Sequence, residues 1–87
     1  GILGMAFKSD IDDTRDSLSI DLWEYLKKKK LNVKISDNFV KMKEIIKTSE
    51  LIKKSDIIII GAPHTTYKNL KIPKNKFLID SWGLFEK

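Results

Sequence analysis

The chain has 87 residues, enough for one domain with a small core, so we expect a single domain over residues 1–87 with any binding site at its edge. The composition, 41% hydrophobic and 33% charged, is typical of a soluble globular domain. No apolar run reaches the roughly 18 to 20 residues that span a bilayer, and no secretory signal is present. Both observations favour a cytoplasmic protein without a membrane partner. The absence of cysteine excludes disulfides and thiolate chemistry within the chain, and the net charge of +5 comes largely from lysines typical of a solvated helix face, which argues against a nucleic-acid partner.

Residues 1–7 form a near-continuous apolar run, which predicts a strand buried on both faces of a parallel sheet. Because the chain opens directly in this strand, we expect the 87 residues to be part of a longer polypeptide. From Ser17 to Lys30 apolar residues recur at helical spacing, with Asp16 or Ser17 available as the N-cap, and this pattern predicts a helix.

Residues 31–37 alternate between apolar and polar, which predicts a strand near the edge of the sheet. Residues 48–55 predict a short helix capped by Thr48 or Ser49. The run Ile57–Ile60 contains four consecutive β-branched residues, and it predicts a second strand that is buried on both faces.

Pro63 ends this strand, and the remaining residues predict one or two helical turns over 64–70, a surface turn at 72–75 and a last strand over 76–81. We expect His64, the only histidine, to be solvated in this loop, and we assign it no catalytic role. The alternation of strands and helices predicts an α/β fold, a small three-layer Rossmann-like domain with a mainly parallel sheet and right-handed crossovers.

The segment 6–17 follows the first strand and places two cations among four aspartates. In open α/β sheets, ligands bind in the crevice outside the carboxyl ends of the strands, where this segment is expected to lie. Lys8 comes directly after the strand and is suited to a phosphate or a sugar hydroxyl, and Arg15 offers a planar fork for a phosphate. Because the four aspartates make the segment formally negative, we expect some of them to pair with Lys8 or Arg15 or to cap the helix. The alternative is a self-neutralising loop without a ligand.

Asp10 and Asp12 also match the pattern DxDxT of haloacid-dehalogenase-like phosphohydrolases, in which the first Asp attacks phosphate and the second is the acid/base beside Mg²⁺. The pattern is short, residues 7–9 separate it from the apolar strand, and no acidic pair follows between Ile57 and Pro63. This enzyme class therefore stays an alternative function.

The run from Gly4 to Lys8, followed by Asp12 to Ser17, resembles the hallmark of the C-terminal, nucleotide-sugar-binding domain of the UDP-glucose/GDP-mannose dehydrogenase family. The order of the other elements agrees, with Asp37 where the family commonly has Asp-Pro and Asp80 in the closing strand. The resemblance implies a single nucleotide-sugar-binding domain that forms the C-terminal part of a longer NAD-dependent enzyme.

Members of this family oxidise the C6 alcohol of a UDP- or GDP-sugar to a carboxylate in two hydride transfers. The resemblance implies an oxidoreductase of polysaccharide biosynthesis whose partners are the nucleotide sugar, NAD, the remaining domains of the same polypeptide and further copies in a homo-oligomer. NAD would be bound mainly by a domain outside this chain, and the nucleophilic Cys of the family also precedes this region, so we expect the 87 residues alone to be inactive. A stand-alone nucleotide-binding or regulatory module is a further alternative.

For individual residues, the resemblance implies that Phe7 and Lys8 contact the nucleotide sugar and that Arg15 reaches NAD. The position near Trp82 is often a substrate-binding arginine in the family, so Trp82 is a candidate substrate contact whose ring would stack on the ligand or pack against the domain. We expect no catalytic residue and no metal ligand among the 87 residues.

Overall fold

The computed structural model describes residues 1–85 and shows a four-stranded, all-parallel sheet with the strand order β2-β1-β3-β4. The strands are β1 (Ile2–Leu3), β2 (Ile35–Ser36), β3 (Ile57–Ile60) and β4 (Phe77–Ile79). Between them lie helix α1 (Leu18–Lys28), helix α2 (Thr48–Lys54) and a 3₁₀ helix (Thr65–Asn69). The predicted α/β class, element order and parallel sheet are confirmed.

Helices lie on both faces of the sheet and make the predicted third layer. Successive residues of a strand point to opposite faces, so the neighbours Ile2 and Leu3 belong to different cores. The core beneath α1 contains the buried residues Ile2, Met5, Trp23 and Ile35. The core beneath α2 and the 3₁₀ helix contains Leu3, Leu51, Ile58, Ile60 and Tyr67. Burial of each such large side chain stabilises the fold by about 1.5–3 kcal/mol.

The first two strands are shorter than the sequence pattern predicts. Only Ile2–Leu3 of residues 1–7 pairs as a strand, although Met5 and Ala6 remain buried beyond its end. Likewise β2 covers two of the residues 31–37, and it is the edge strand that the alternation predicts. The apolar run therefore indicates burial, which continues after the backbone has left the sheet.

The prediction that β3 is buried on both faces is wrong. Ile58 and Ile60 are buried, whereas the side chain of Ile57 is 49% exposed. The register pairs Ile57 with Phe77 and Ile59 with Ile79, so these four side chains share one face, on which Phe77 is 75% exposed. Since α1 packs over β1 and β2, its side of the β3–β4 half stays open.

The ends of the helices test the predicted caps. Ser17 is the N-cap of α1, as one of the two predicted candidates, and Lys27 and Lys28 lie in the last turn near the negative end of the helix dipole. The N-cap of α2 is Lys47, so the predicted caps Thr48 and Ser49 are wrong. Among residues 1–85, no helix has the length and apolar character needed to cross a membrane.

Candidate functional site

The chain leaves β1 through a sharp turn at Gly4, which has a φ of +95°. A Cβ at this position would lie 2.6 Å from the backbone nitrogen and 2.7 Å from the carbonyl oxygen of Ala62, which follows β3. Glycine is the residue that adopts this conformation without strain and allows the two backbones to approach. The turn redirects the chain into residues 5–17, here called the β1–α1 loop.

Ser17 fastens the end of this loop to its beginning. Its hydroxyl donates a hydrogen bond to the carbonyl oxygen of Met5 at 2.8 Å and accepts one from the amide of Ile20 at 3.3 Å. The second bond satisfies one of the amides that every helix leaves unpaired in its first turn. One buried hydroxyl therefore fixes the start of α1 against the end of β1.

Phe7 and Lys8, the two predicted nucleotide-sugar contacts, lie at the surface of the β1–α1 loop. The Phe7 side chain is 50% exposed, and Lys8 is exposed as well. The amide of Phe7 donates to the carbonyl oxygen of Asp13 at 2.7 Å, which closes residues 7–13 into a compact loop. The backbone is thus fixed where the two candidate side chains leave it.

Arg15, the predicted NAD contact, is 88% exposed at the far end of the loop. Its Nη2 and Nε donate to the carboxylate of Asp13 at 2.7 and 3.0 Å, and this contact lowers the pKa of Asp13 to about 2. The expectation that aspartates of the loop pair with its cations is confirmed for this pair. Asp13 orients the guanidinium and leaves its outer face open to solvent.

Asp10 joins the β1–α1 loop to the start of the 3₁₀ helix. Its carboxylate accepts hydrogen bonds from the hydroxyl and, at 2.8 Å, from the amide of Thr65, and these bonds lower the pKa of Asp10. Asp10 also has a φ of 61°, which an aspartate tolerates better than most residues. A carboxylate engaged in this way is poorly placed to act as the attacking group of a phosphohydrolase.

Two buried residues, to which the sequence analysis assigned no role in the site, connect three strand ends. Asp37, just after β2, accepts from the amide of Met5 at 2.6 Å and from Nε2 of His64 at 2.9 Å. Both side chains are fully buried, so the expectation that His64 is solvated is wrong. Burial raises the pKa of Asp37, but His64 and the amides of Val40, Met5 and Phe39 outweigh it and lower the pKa to about 2.

Trp82 lines an apolar groove of about 350 Å³ beside the same strand ends. Its indole Nε1 donates to the carbonyl oxygen of Gly61 at 3.1 Å, while half of the side chain stays exposed. The opposite wall is the first turn of α1, with Leu18 and Ser19. The hydrogen bond holds the ring in place and leaves part of its surface available for stacking.

The β1–α1 loop and the turn after β3 meet at the topological switch point of the sheet. From β1 the chain continues to β2 on one side, and from β3 it continues to β4 on the other, so the loops that follow β1 and β3 diverge and leave a crevice between them. In open α/β sheets this crevice is the usual place for a ligand. The structure brings Phe7, Lys8 and the turn at Gly61 to this edge and sets Arg15 at the entrance of α1.

Comparison with known proteins gives the same family along the whole chain. Residues 1–87 match the model of the UDP binding domain of the UDP-glucose/GDP-mannose dehydrogenase family. The chain is 31% identical over 91 residues to the UDP-N-acetyl-D-mannosamine dehydrogenase of Methanococcus aeolicus, a match that covers 92% of this chain and 21% of that enzyme.

Solved structures agree in fold. A derivative structure of the UDP-N-acetyl-mannosamine dehydrogenase of Staphylococcus aureus superimposes with a TM-score of 0.86 and 25% identity over 99% of this chain and 22% of that chain. The native structure of the same enzyme gives a TM-score of 0.73 and 28% identity over 79% of this chain and 17% of that chain. The UDP-D-ManNAc dehydrogenase of Pyrococcus horikoshii gives a TM-score of 0.72 and 26% identity over 80% of this chain and 16% of that chain. The 87 residues thus span about a fifth of the length of these relatives. The chain belongs to the UDP-glucose/GDP-mannose dehydrogenase family and corresponds to its C-terminal, UDP-binding domain.

Proposed function

We propose that this chain is the nucleotide-sugar-binding domain of an NAD-dependent 6-dehydrogenase, which oxidises the C6 alcohol of a UDP-sugar to a carboxylate. The domain supplies one wall of the active-site cleft and is inactive alone. The rest of the cleft comes from the larger part of the polypeptide, consistent with the fact that the relatives are several times longer than the matched region.

The observation that carries this proposal is that the β1–α1 loop combines a hydrogen-bonded backbone with exposed side chains. Its backbone is held at Met5 and Asp10 by hydrogen bonds to Asp37 and His64, outside the loop, and at Phe7 by a bond within it, yet the side chains of Phe7 and Lys8 remain exposed. A loop that served only to connect two elements would not require such a fixed backbone. Side chains that leave a fixed backbone bind a ligand with a smaller loss of conformational entropy.

Each exposed group has a role in this proposal that matches its chemistry. The Lys8 ammonium is a compact cation suited to the diphosphate of the nucleotide sugar, and the rings of Phe7 and Trp82 offer apolar faces to the base or the sugar. Arg15, oriented by Asp13, presents its open face to a phosphate of NAD. Bound NAD would supply the hydride acceptor, and the residues of this domain would hold the nucleotide sugar and NAD side by side.

The two solved relatives and the curated one are all named as dehydrogenases of UDP-N-acetylmannosamine. We therefore take a UDP-N-acetylhexosamine as the first substrate to test, ahead of UDP-glucose and GDP-mannose. The family resemblance further supports a homo-oligomeric, cytoplasmic enzyme whose product enters polysaccharide biosynthesis.

The proposal is tested by substitutions in the full-length protein, followed by NADH absorbance with a panel of nucleotide sugars. We expect Lys8→Ala to raise KM for the nucleotide sugar and Arg15→Ala to raise KM for NAD, each with a loss of about 2–4 kcal/mol in transition-state binding. Lys53→Ala is the matched control, because this exposed lysine lies in the last turn of α2, at the opposite edge of the sheet. Unchanged kinetic constants in both loop variants contradict the proposal.

A stand-alone regulatory module differs from this enzyme in the rest of its gene. The full-length sequence of the dehydrogenase must contain a dinucleotide-binding fingerprint and a nucleophilic Cys upstream of these 87 residues. A parent gene that lacks both would favour the module.

A further inference from the structure

We propose that His64 is a positioning residue for the β1–α1 loop. Together with Asp37 it holds Asp10, and thereby the backbone from which the Phe7 and Lys8 side chains extend. This inference rests on the proposed function, because that proposal assigns the loop its ligand. It adds a residue that lies outside the loop and touches no ligand itself.

The hydrogen bonds of the imidazole assign its tautomer. Nδ1 of His64 accepts from the amide of Asp10 at 2.8 Å, so this nitrogen carries no proton. The proton is on Nε2, which donates to Oδ2 of Asp37 at 2.9 Å. One neutral imidazole therefore connects the loop after β1 to the loop after β2, from a position just after β3.

The imidazole of His64 is fixed by its packing and by Asp37, and it thereby fixes the amide of Asp10. It is fully buried, and the rings of Phe39 and Tyr67 lie against it with centroids 4.8 and 5.3 Å away. Asp37 is fixed in turn, because its Oδ1 accepts from the amides of Phe39 and Val40 at 2.7 and 2.9 Å. Neither partner of the pair is free to rotate, so the place of the Asp10 amide is set by the core of the domain.

Lys8 lies between two fixed points of the loop. On one side the amide of Phe7 is bonded to Asp13, and on the other side, two residues along, the amide of Asp10 is bonded to His64. Removing the second bond leaves Asp10 held by Thr65 alone. The free loop then samples more conformations, and binding of the nucleotide sugar must restrict them again.

Two substitutions separate the two bonds of the imidazole. A glutamine side chain can place its amide nitrogen near the position of Nε2, so His64→Gln keeps a donor for Asp37 and loses the acceptor for Asp10. An asparagine side chain can place its oxygen near the position of Nδ1, so His64→Asn keeps the acceptor and loses the donor. Both variants remove one buried hydrogen bond and the imidazole ring that packs against Phe39 and Tyr67, so we expect both to lower the melting temperature.

We measure Tm, kcat and KM of the full-length protein with UDP-N-acetylmannosamine and NAD. We expect His64→Gln to raise KM for the nucleotide sugar about fivefold to tenfold, as for the loss of one hydrogen bond, with little change in kcat. We expect His64→Asn to recover most of this loss despite a similar fall in Tm. Ile58→Val is the control for lost stability alone, because the fully buried Ile58 side chain lies in β3 and forms no hydrogen bond with His64 or the β1–α1 loop.

A second measurement tests the geometry without any substrate. The ¹⁵N chemical shifts of His64 in the folded protein distinguish the two neutral tautomers, and we expect Nδ1 to be the unprotonated nitrogen. A proton on Nδ1 overturns the inference, because the bond from Asp10 then does not exist.

The kinetic outcomes separate the inference from the function on which it rests. If Lys8→Ala leaves KM for the nucleotide sugar unchanged, the proposed function is wrong, and the inference is overturned with it. If Lys8→Ala raises KM while His64→Gln does not, or while His64→Gln and His64→Asn raise it equally, the inference alone is overturned. A KM that rises in Ile58→Val as much as in His64→Gln also overturns it.

Discussion

The exchange of Asp37 for asparagine tests whether one buried carboxylate holds the strand ends together. In the folded chain Oδ2 accepts from the amide of Met5 and from His64, and Oδ1 accepts from the amides of Phe39 and Val40. An asparagine side chain has one acceptor oxygen and one NH₂ donor. In either orientation of the asparagine side chain, its NH₂ group takes the place of one carboxylate oxygen and faces two buried N–H donors.

A change of tautomer at His64 does not relieve this conflict. If Nε2 loses its proton it accepts from the new NH₂ group, but Nδ1 then carries a proton that faces the amide of Asp10. Two hydrogen bonds to a charged acceptor are lost, each worth about 1.5–3 kcal/mol, so we expect Asp37→Asn to lower the free energy of unfolding by about 3–6 kcal/mol. A domain of this length has a total of roughly 4–13 kcal/mol, so the loss is a large share of its stability.

The measurement is urea unfolding of the 87-residue domain, followed by far-ultraviolet circular dichroism. With a slope of about 2 kcal/mol per molar urea, in the middle of the usual range of about 1–3, the expected loss lowers the midpoint by about 1.5–3 M. The control is Asp56→Asn, which changes the same side chain at an exposed position. If Asp37→Asn lowers the midpoint no more than Asp56→Asn does, the carboxylate is not the connection that the structure indicates.

Two further predictions concern the same strand ends. Because the folded pKa of Asp37, about 2, lies below the ordinary value of 3.8, its carboxylate stabilises the folded state above about pH 4, and we expect about 2 kcal/mol to be lost as the pH falls to about 2. Urea midpoints measured across this range should fall in the wild-type domain more steeply than in Asp37→Asn, and parallel curves would contradict the assignment. We also expect Gly4→Ala to lower the free energy of unfolding by about 2–4 kcal/mol, because the new methyl group meets the Ala62 backbone at 2.6 Å and φ is +95°. The same unfolding experiment checks this, and a loss below about 1 kcal/mol would mean that the turn adapts.

The parts of the fold that the sequence predicted correctly are those set by local pattern. Helix α1 follows from the spacing of its apolar residues and the polar residue before it, and the parallel order follows from the alternation of strands and helices. The burial of Ile57 was mispredicted because four β-branched residues indicate a strand but not what covers it. That depends on where α1 lies across the sheet, which no local pattern contains.

In the candidate site, too, the contacts between residues close in the sequence were predictable, and those between distant residues were not. The ion pair between Asp13 and Arg15 joins residues two apart, and the sequence indicated it. The bonds of Asp37 and His64 join residues 27, 32 and 54 apart. A lone histidine after a strand gives no sign of such partners. The available signal was that Asp37 and His64 each follow a strand end, since the carboxyl ends of parallel strands meet at one edge of the sheet.

A loop with four aspartates is an unexpected place for a diphosphate, and the structure shows how two of these carboxylates are engaged within the domain. The carboxylate of Asp10 is engaged by Thr65, and that of Asp13 by Arg15. Within residues 1–85 Lys8 forms no ion pair, so its ammonium is available to a ligand. These two aspartates thus act as structural acceptors that fix the loop, and the cation beside them remains exposed. This arrangement supports the proposed binding of a diphosphate by a loop whose formal charge is negative, and it makes Lys8, rather than any aspartate of the loop, the residue on which the proposed function depends most.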